Sequence, residues 1–336
     1  MSITSRAFHL VSRPTGEPAE DNFELVTSTL PDPGRGEIAV RNLAISVDPY
    51  MRGRMRDMPS YAPPWQLGEP AQGGAVGEVI ASGSDGVPVG SRVVHNLGWR
   101  DYAVLPADQA AVVPRRDDIS ATVYLGALGM TGRTAYVGLF RTARFRPGDI
   151  VFVSAAAGAV GSMVGQLAKL AGAKQVIGSA GSADKINYLR DRLGFDAVFN
   201  YHDGPAAELL GAAAPDGIDV FFDNVGGEQL EAAIGRMNLG GRIAICGAVS
   251  GYNSEQPQPG PRNLPLFIGK RLTMTGFLVG DHGDIAEEFT DRVGAWYAED
   301  KIIAGETVVH GLENTPSAFI GMLRGDNIGK MIISLD

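Results

Sequence analysis

The sequence predicts an α/β protein in which a β-rich domain accompanies a doubly wound parallel sheet. Three observations carry this. The first third of the chain holds short β-branched stretches broken by Gly, Pro and Asp. After Pro147, strand and helix patterns alternate, with strand starts roughly every 20–25 residues, the spacing of βα crossovers. The first of these strands runs into its helix through a string of tiny residues, IVFVSAAAGAVGSMVGQLAKLAG, Ile150–Gly172. At 336 residues the chain is long enough for two domains.

In order, strands are expected at Glu37–Ser46, Val76–Ser82, Ser91–Asn96 and Tyr102–Pro106, giving a barrel-like or partly open β domain. Between Ser120 and Phe140 the texture becomes small-residue-rich and helical. Parallel strands follow at Ile150–Ser154, Gln175–Gly178, Ala197–Asn200, Ile218–Asp223 and Arg242–Cys246. Helical apolar spacing separates them, as in Val160/Met163/Val164/Leu167/Ala168/Ala171 and Ile186/Leu189/Leu193. Gln256–Pro265, QPQPGPRNLP, is too polar and broken to be anything but a loop. Gly283–Ile302 reads as a final amphipathic helix, after which GKMIISLD returns to β texture.

Composition narrows the function. A net charge of −9 argues against nucleic acid or an anionic membrane surface as partner. The longest nearly apolar run, Ile150–Gly165, is rich in Ala, Gly and Ser and shorter than the about 20 residues of a membrane span. One cysteine, Cys246, excludes a disulfide framework within the chain and fits a reducing compartment. The opening MSITSRAFHL lacks the apolar core of a signal peptide, so a cytoplasmic location is expected. The 45 glycines ask for many tight turns or close backbone approaches.

Against the pattern G-x-G-x-x-G the chain offers Ala156-x-Gly158-x-x-Gly161. Strand before and helix after make it a candidate dinucleotide loop. Gly158 would let a pyrophosphate approach, Gly161 would let helix and strand pack, and the free N–H groups of the helix start would face the anion. NAD-binding loops place an acid at the tip of the second strand to hold the ribose 2′-hydroxyl. Here that tip reads Val176-Ile177-Gly178-Ser179-Ala180-Gly181, without an acid, and Lys185 follows. This suits a 2′-phosphate and hence NADPH, although a solvated surface lysine would read the same way.

The motifs VDPYMRGRM (Val47–Met55), SAAAGAVGSMVGQLAKLAG, DKINYLRDRLGFDAVFNY, FFDNVGGEQL, GGRIAICGAVSGYN and GMLRGDNIGKMI, in this order, resemble the zinc-free medium-chain reductases. Within that superfamily they are similar to the prostaglandin reductase and alkenal double-bond reductase branch, curcumin reductase-like members included. The resemblance covers nearly the whole chain. It implies a GroES-like β domain at 1–127 and 303–336 and a Rossmann NADP(H)-binding domain at 128–302, with the nicotinamide in the cleft between them and a homodimer joined through the Rossmann sheets. It further implies pyrophosphate contacts at Gly158, Ala159, Val160 and Gly161, and 2′-phosphate contacts at Lys185 and Tyr201. A cofactor contact at Asn327 is also implied. Asn224 stands at the end of the fourth strand, where such sheets bind ligands. Cys246, Gly247 and the residues up to Tyr252, with Phe277, Leu278 and Val279, would line the nicotinamide half.

The reaction implied is hydride transfer from NADPH to the β-carbon of an α,β-unsaturated ketone or aldehyde. Negative charge then builds on the carbonyl oxygen, and the protein must position the enone and offer that oxygen donors. Tyr252 is the candidate donor, being a neutral phenol at working pH; a packing or ribose-binding tyrosine is the alternative. Tyr50, in DPYMR, is a second candidate, with a pocket wall as its alternative. A quinone reductase of the same superfamily and a catalytically silent NADPH-binding protein remain open. No metal is expected: no cysteine precedes Cys246, the five histidines are scattered, and Glu69–Val79 carries glycine where zinc members of the superfamily place Gly-His-Glu. Each histidine reads as a surface or satisfied residue, and Cys246 as a small structural hydrophobe. Variable loops at Asp57–Leu67 and Ser254–Pro265 offer pocket walls. In the first, Tyr61, Pro63, Pro64 and Trp65 suggest an apolar rim and a small hydrophobic enone or enal as substrate.

Overall fold

The computed structural model describes residues 3–115, 119–256 and 258–335. Pro257 of the expected Gln256–Pro265 loop, residues 116–118, and residues 1, 2 and 336 of the expected domain bounds lie outside them. The chain divides into two compact units. One holds Met1–Gly126, Glu306–Asn327 and Met331–Asp336, the other Ala127–Gly305 and Ile328–Lys330.

The first unit opens with a hairpin the sequence reading missed, β1 (Ile3–Leu10) against β2 (Phe23–Leu30), antiparallel throughout. β3 (Glu37–Ser46) runs into the short helix α1 (Met51–Arg54), and β4 (Ala75–Ser82), β5 (Arg92–His95), β6 (Tyr102–Pro106) and β7 (Ala111–Val112) follow. β3 pairs antiparallel with β4 and β6, and β5 with β4 and β7. The core gathers on Trp99, fully buried, with Phe23, Trp65 and Phe319 at ring-centroid distances of 5.0, 5.4 and 5.6 Å. Trp65, expected on an apolar rim, is therefore a core residue: a flat indole gains more by packing edge-on against the Trp99 ring than by facing water.

The second unit is a parallel sheet. β8 (Ile150–Val153) is buried at every position, as a strand covered on both faces should be. β9 (Gln175–Ala180), β10 (Ala197–Asn200), β11 (Ile218–Asp223), β12 (Met237–Ile245) and β13 (Thr273–Gly276) complete it. Among the described residues the strand order is β10-β9-β8-β11-β12-β13, all parallel, so the order reverses between β8 and β11. Stacked Phe152 and Phe221, 4.9 Å apart, hold those two strands together. The helices are α2 (Met130–Tyr136), α3 (Ala159–Leu170), α4 (Ala183–Asn187), α5 (Ala206–Ala213), α6 (Gly227–Arg236), α7 (Leu266–Lys270) and α8 (Ala286–Ala298). The tail brings β14 (Glu306–His310), α9 (Thr315–Arg324) and β15 (Lys330–Ser334), which pairs with β3. α8 is thus not the last helix. α9 carries Pro316 in its first turn and ends at Gly325 in the left-handed region (φ 87°), start and stop signals that its short length hid.

Candidate active site

The tiny-residue run folds as a turn and a helix start. Ala155 takes a positive φ of 48°, and Gly158 is extended as the residue before α3. Among the described residues no side chain caps this helix, so the N–H groups of Ala159, Val160 and Gly161 are left as an anion-receiving end. A β-carbon at Gly161 would sit 2.8 Å from the Ala156 Cα, which makes glycine obligatory there. The missing first glycine is compensated by a neighbouring strand: a β-carbon at Gly178 would come within 2.8 Å of the Ala156 methyl, so glycine on β9 makes room for alanine in the loop. Gly329 closes the other side, its N–H donating to the Ala157 carbonyl at 2.8 Å. These are the cradle features a pyrophosphate needs, and the residues fit a dinucleotide.

At the C-terminal ends of β9 and β10, Tyr201 lies over Gly181, where a β-carbon would meet the hydroxyl at 2.6 Å. Ser182 caps α4 and Lys185, half-buried, sits in that helix's first turn. His202 packs its ring 4.3 Å from that of Tyr201. Sequence reasoning missed Gly181 and His202, although both adjoin residues it singled out.

The switch point between β8 and β11 is a buried polar knot. Ser154 Oγ donates to Asp223 Oδ1 at 2.9 Å, and the same oxygen accepts the N–H groups of Val225 and Gly226. Asn224 donates its N–H to Ser154 Oγ and its side-chain amide to the Ser154 carbonyl, both at 2.8 Å. Burial raises the Asp223 carboxyl, opposed by these donors. Cys246 and Gly247 follow β12 and donate their N–H groups to the Asp223 carbonyl. Burial pushes the Cys246 thiol up to about 12, with Asp223 adding to it, so it is no nucleophile. Tyr252 stands on the same loop. Its oxygen receives the Ala248 N–H at 3.5 Å, and a β-carbon on Gly247 would lie 3.4 Å from it. Burial, opposed by that N–H, raises the phenol and keeps it protonated. Asn224, Cys246, Gly247 and Tyr252 are therefore brought together, held by Ser154 and Asp223, which the sequence reading did not single out.

Phe277 packs edge-on against Phe222, ring centroids 6.1 Å apart, while Leu278 is exposed and Val279 half-buried beyond β13. Asn327 belongs to the first unit and is buried. Tyr50 is also in the first unit. Burial chiefly raises its phenol, the Asp48 carboxylate adds to this, and the adjacent Arg54 guanidinium opposes it. Among the described residues no group of three or more His, Cys, Asp or Glu could hold a metal ion. His95 is buried and fully partnered: its Nδ1 accepts the Leu97 N–H and its Nε2 donates to Asn42.

Two families match the chain, one described as the N-terminal domain of oxidoreductase over residues 6–113 and one as zinc-binding dehydrogenase over residues 159–295. The NADPH-dependent curcumin reductase of Escherichia coli is 40% identical, over 98% of this chain and 96% of its own. The NADP(+)-dependent 2-alkenal reductase of Nicotiana tabacum is also 40% identical, over 98% and 97%. Among solved structures, CurA from Vibrio vulnificus in complex with NADPH superposes with a TM-score of 0.93 at 40% identity, covering 98% of this chain and 99% of that one. The chain belongs to the medium-chain reductases, in the branch that holds the curcumin, alkenal and prostaglandin reductases.

Proposed function

We propose that this protein is an NADPH-dependent reductase of the carbon–carbon double bond of α,β-unsaturated ketones and aldehydes. The observation that carries the reading is the place of the Tyr252 phenol: its oxygen receives the Ala248 N–H and stands against Gly247, which packs on the Asn224 carbonyl at the end of β11. Tyr252 shares a unit with an uncapped glycine-loop helix and an acid-free β9 tip. The relatives named for curcumin and for 2-alkenals, and the neighbour bound to NADPH, support it.

When bound, NADPH supplies the hydride that the β-carbon of the conjugated double bond accepts. Gly158 and the N–H groups of Ala159, Val160 and Gly161 would hold the pyrophosphate, and Lys185 and Tyr201 would hold the 2′-phosphate. Asn224, Cys246, Gly247, Phe277, Leu278 and Val279 would line the nicotinamide half, and Asn327 is a further residue we propose for the cofactor. Tyr252 donates a hydrogen bond to the carbonyl oxygen as it gains charge, and the α-carbon then takes a proton from solvent. Tyr50 serves the substrate side.

We assign residues 1–127 and 303–336 to the GroES-like domain and 128–302 to the Rossmann domain, a division the two contact-defined units support. A homodimer joined at β13 is supported by that edge strand's exposure along its whole length. A cytoplasmic location is supported by the single cysteine; among the described residues no helix is long and apolar enough to cross a membrane.

The test is oxidation of NADPH, and separately NADH, with a medium-chain trans-enone and with its saturated ketone. Consumption with the enone alone, giving the saturated ketone as product, is the expected result. Reduction of the saturated ketone, or of quinones only, overturns the reading.

A further inference from the structure

The segment between α1 and β4 contains a loop whose base is tied with unusual care. Met55 and Trp65 are both buried, and of the residues between them, 56–64, Asp57 to Tyr61 and Pro63 are exposed while Arg56, Ala62 and Pro64 are half-buried. Trp65 donates its N–H to the Arg54 carbonyl at 2.7 Å, closing the loop on itself. Arg54 reaches across with Nε to the Pro63 carbonyl at 2.9 Å and with Nη2 to Gln72 at 2.8 Å, its guanidinium 5.5 Å above the Trp65 ring. The last tie comes from far away in sequence. Arg13, just beyond β1, donates Nη1 to the Met55 carbonyl and Nη2 to the Trp65 carbonyl, each at 3.0 Å. One planar fork thus holds both ends of the loop.

The tip contrasts with the base. Met58 and Tyr61 are each 63% exposed, an apolar pair presented by a fixed frame. Tyr61 acts electrostatically on Tyr50, whose phenol also stands beside Arg54. A compact loop with a pinned base and an apolar tip suits recognition of an apolar group, because the ordering is done before the ligand arrives.

We propose that Arg13 is a positioning residue for substrate recognition: by bridging the Met55 and Trp65 carbonyls it sets where Met58 and Tyr61 meet the hydrocarbon chain of a hydrophobic enone. This rests on the enone-reductase reading above. The two guanidinium nitrogens of Arg13 go to the Met55 and Trp65 carbonyls. Arg13 acts through the loop, so its loss falls on substrate affinity and not on the chemical step.

The experiment compares wild type, Arg13→Ala and Arg13→Lys with a short acceptor, but-3-en-2-one, and a long one, trans-non-3-en-2-one. In Arg13→Ala the KM for the long enone rises about tenfold, while kcat and the KM for NADPH stay within about twofold. The short enone, with no chain to reach the tip, shows no such rise. Lysine offers a point charge in place of a fork, so Arg13→Lys falls between the two. An unchanged KM for the long enone, or an equal loss with both acceptors, overturns the proposal. Trypsin cleavage after Arg56, inside the loop, reads the clamp without any substrate. It accelerates in Arg13→Ala, and an unchanged rate overturns the clamp. If wild-type protein reduces neither enone, the functional reading fails, and the cleavage rate still judges Arg13 separately.

Discussion

The Ser154 hydroxyl donates to the Asp223 carboxylate at 2.9 Å across the strand boundary where the sheet order reverses, and both side chains are fully shielded from water. Ser154 is also an acceptor, for the Asn224 N–H. One hydroxyl therefore orients the carboxylate that receives Val225 and Gly226, and through the β11 tip it fixes the loop bearing Tyr252. Ser154→Ala leaves a buried carboxylate short of a donor and a buried N–H short of an acceptor. The expected loss of stability is about 1–3 kcal/mol. A chemical-denaturation midpoint equal to that of wild type would show that the bond contributes nothing.

Tyr252→Phe removes the hydroxyl and keeps the ring. If the phenol serves the developing oxyanion, kcat falls about 10²–10³-fold while NADPH affinity is retained. The measurement is single-turnover hydride transfer beside NADPH fluorescence titration. A kcat equal to wild type removes Tyr252 from the chemical step and leaves it a packing residue.

Lys185→Gln removes the cation proposed for the 2′-phosphate. A charge-assisted contact of this kind contributes about 1.5–3 kcal/mol, so the preference for NADPH over NADH should shrink about 10–100-fold. The ratio of kcat/KM values for the two cofactors reads this directly. NADH values should stay near those of wild type, since NADH has no group for Lys185 to meet.

Gly161 and Gly178 show how much of the site the sequence carried and where it stopped. Gly161 was legible because strand, small turn and helix are neighbours in sequence, and the motif states their spacing. That Ala156 replaces the usual first glycine was legible only through the resemblance, because the space it occupies is made by Gly178 on the next strand. The same holds for Ser154 and Asp223, 69 residues apart: local periodicity marks both as strand ends but cannot pair them. Five of the six described parallel strands were read, because IVFV and IDVFFD are largely apolar runs that burial on two faces demands, whereas β13, exposed along its length, was missed. The β1–β2 hairpin was missed because polar side chains interrupt its alternation, and its two strands are joined by a long Pro/Gly connection and not by a tight turn. Trp65 looked like a rim residue from its Pro-rich company, and only the three-dimensional cluster around Trp99 shows it to be core.

His95 makes a prediction about pH whose sign follows from its bonds. The Leu97 N–H points into Nδ1, so Nδ1 has no hydrogen and Nε2 carries it toward Asn42. Protonating Nδ1 would set two donors against each other in a buried site. Burial, reinforced by the Arg100 guanidinium, accordingly lowers the imidazole to about 4. In the unfolded chain it titrates near the ordinary histidine value of about 6.5. Between those values the unfolded state binds a proton that the folded state refuses. Stability is therefore full above about pH 6.5 and declines as pH falls, by about 3 kcal/mol near pH 4 from this residue. Carboxylates titrate in the lower part of the same window, so the measurement is a difference: denaturation free energy of wild type minus that of His95→Asn, from pH 7 to pH 4. The difference should narrow steadily toward acid as the wild type loses its advantage. A difference independent of pH would mean that His95 accepts a proton as readily folded as unfolded, and that its bonds to Asn42 and Leu97 do not hold it neutral.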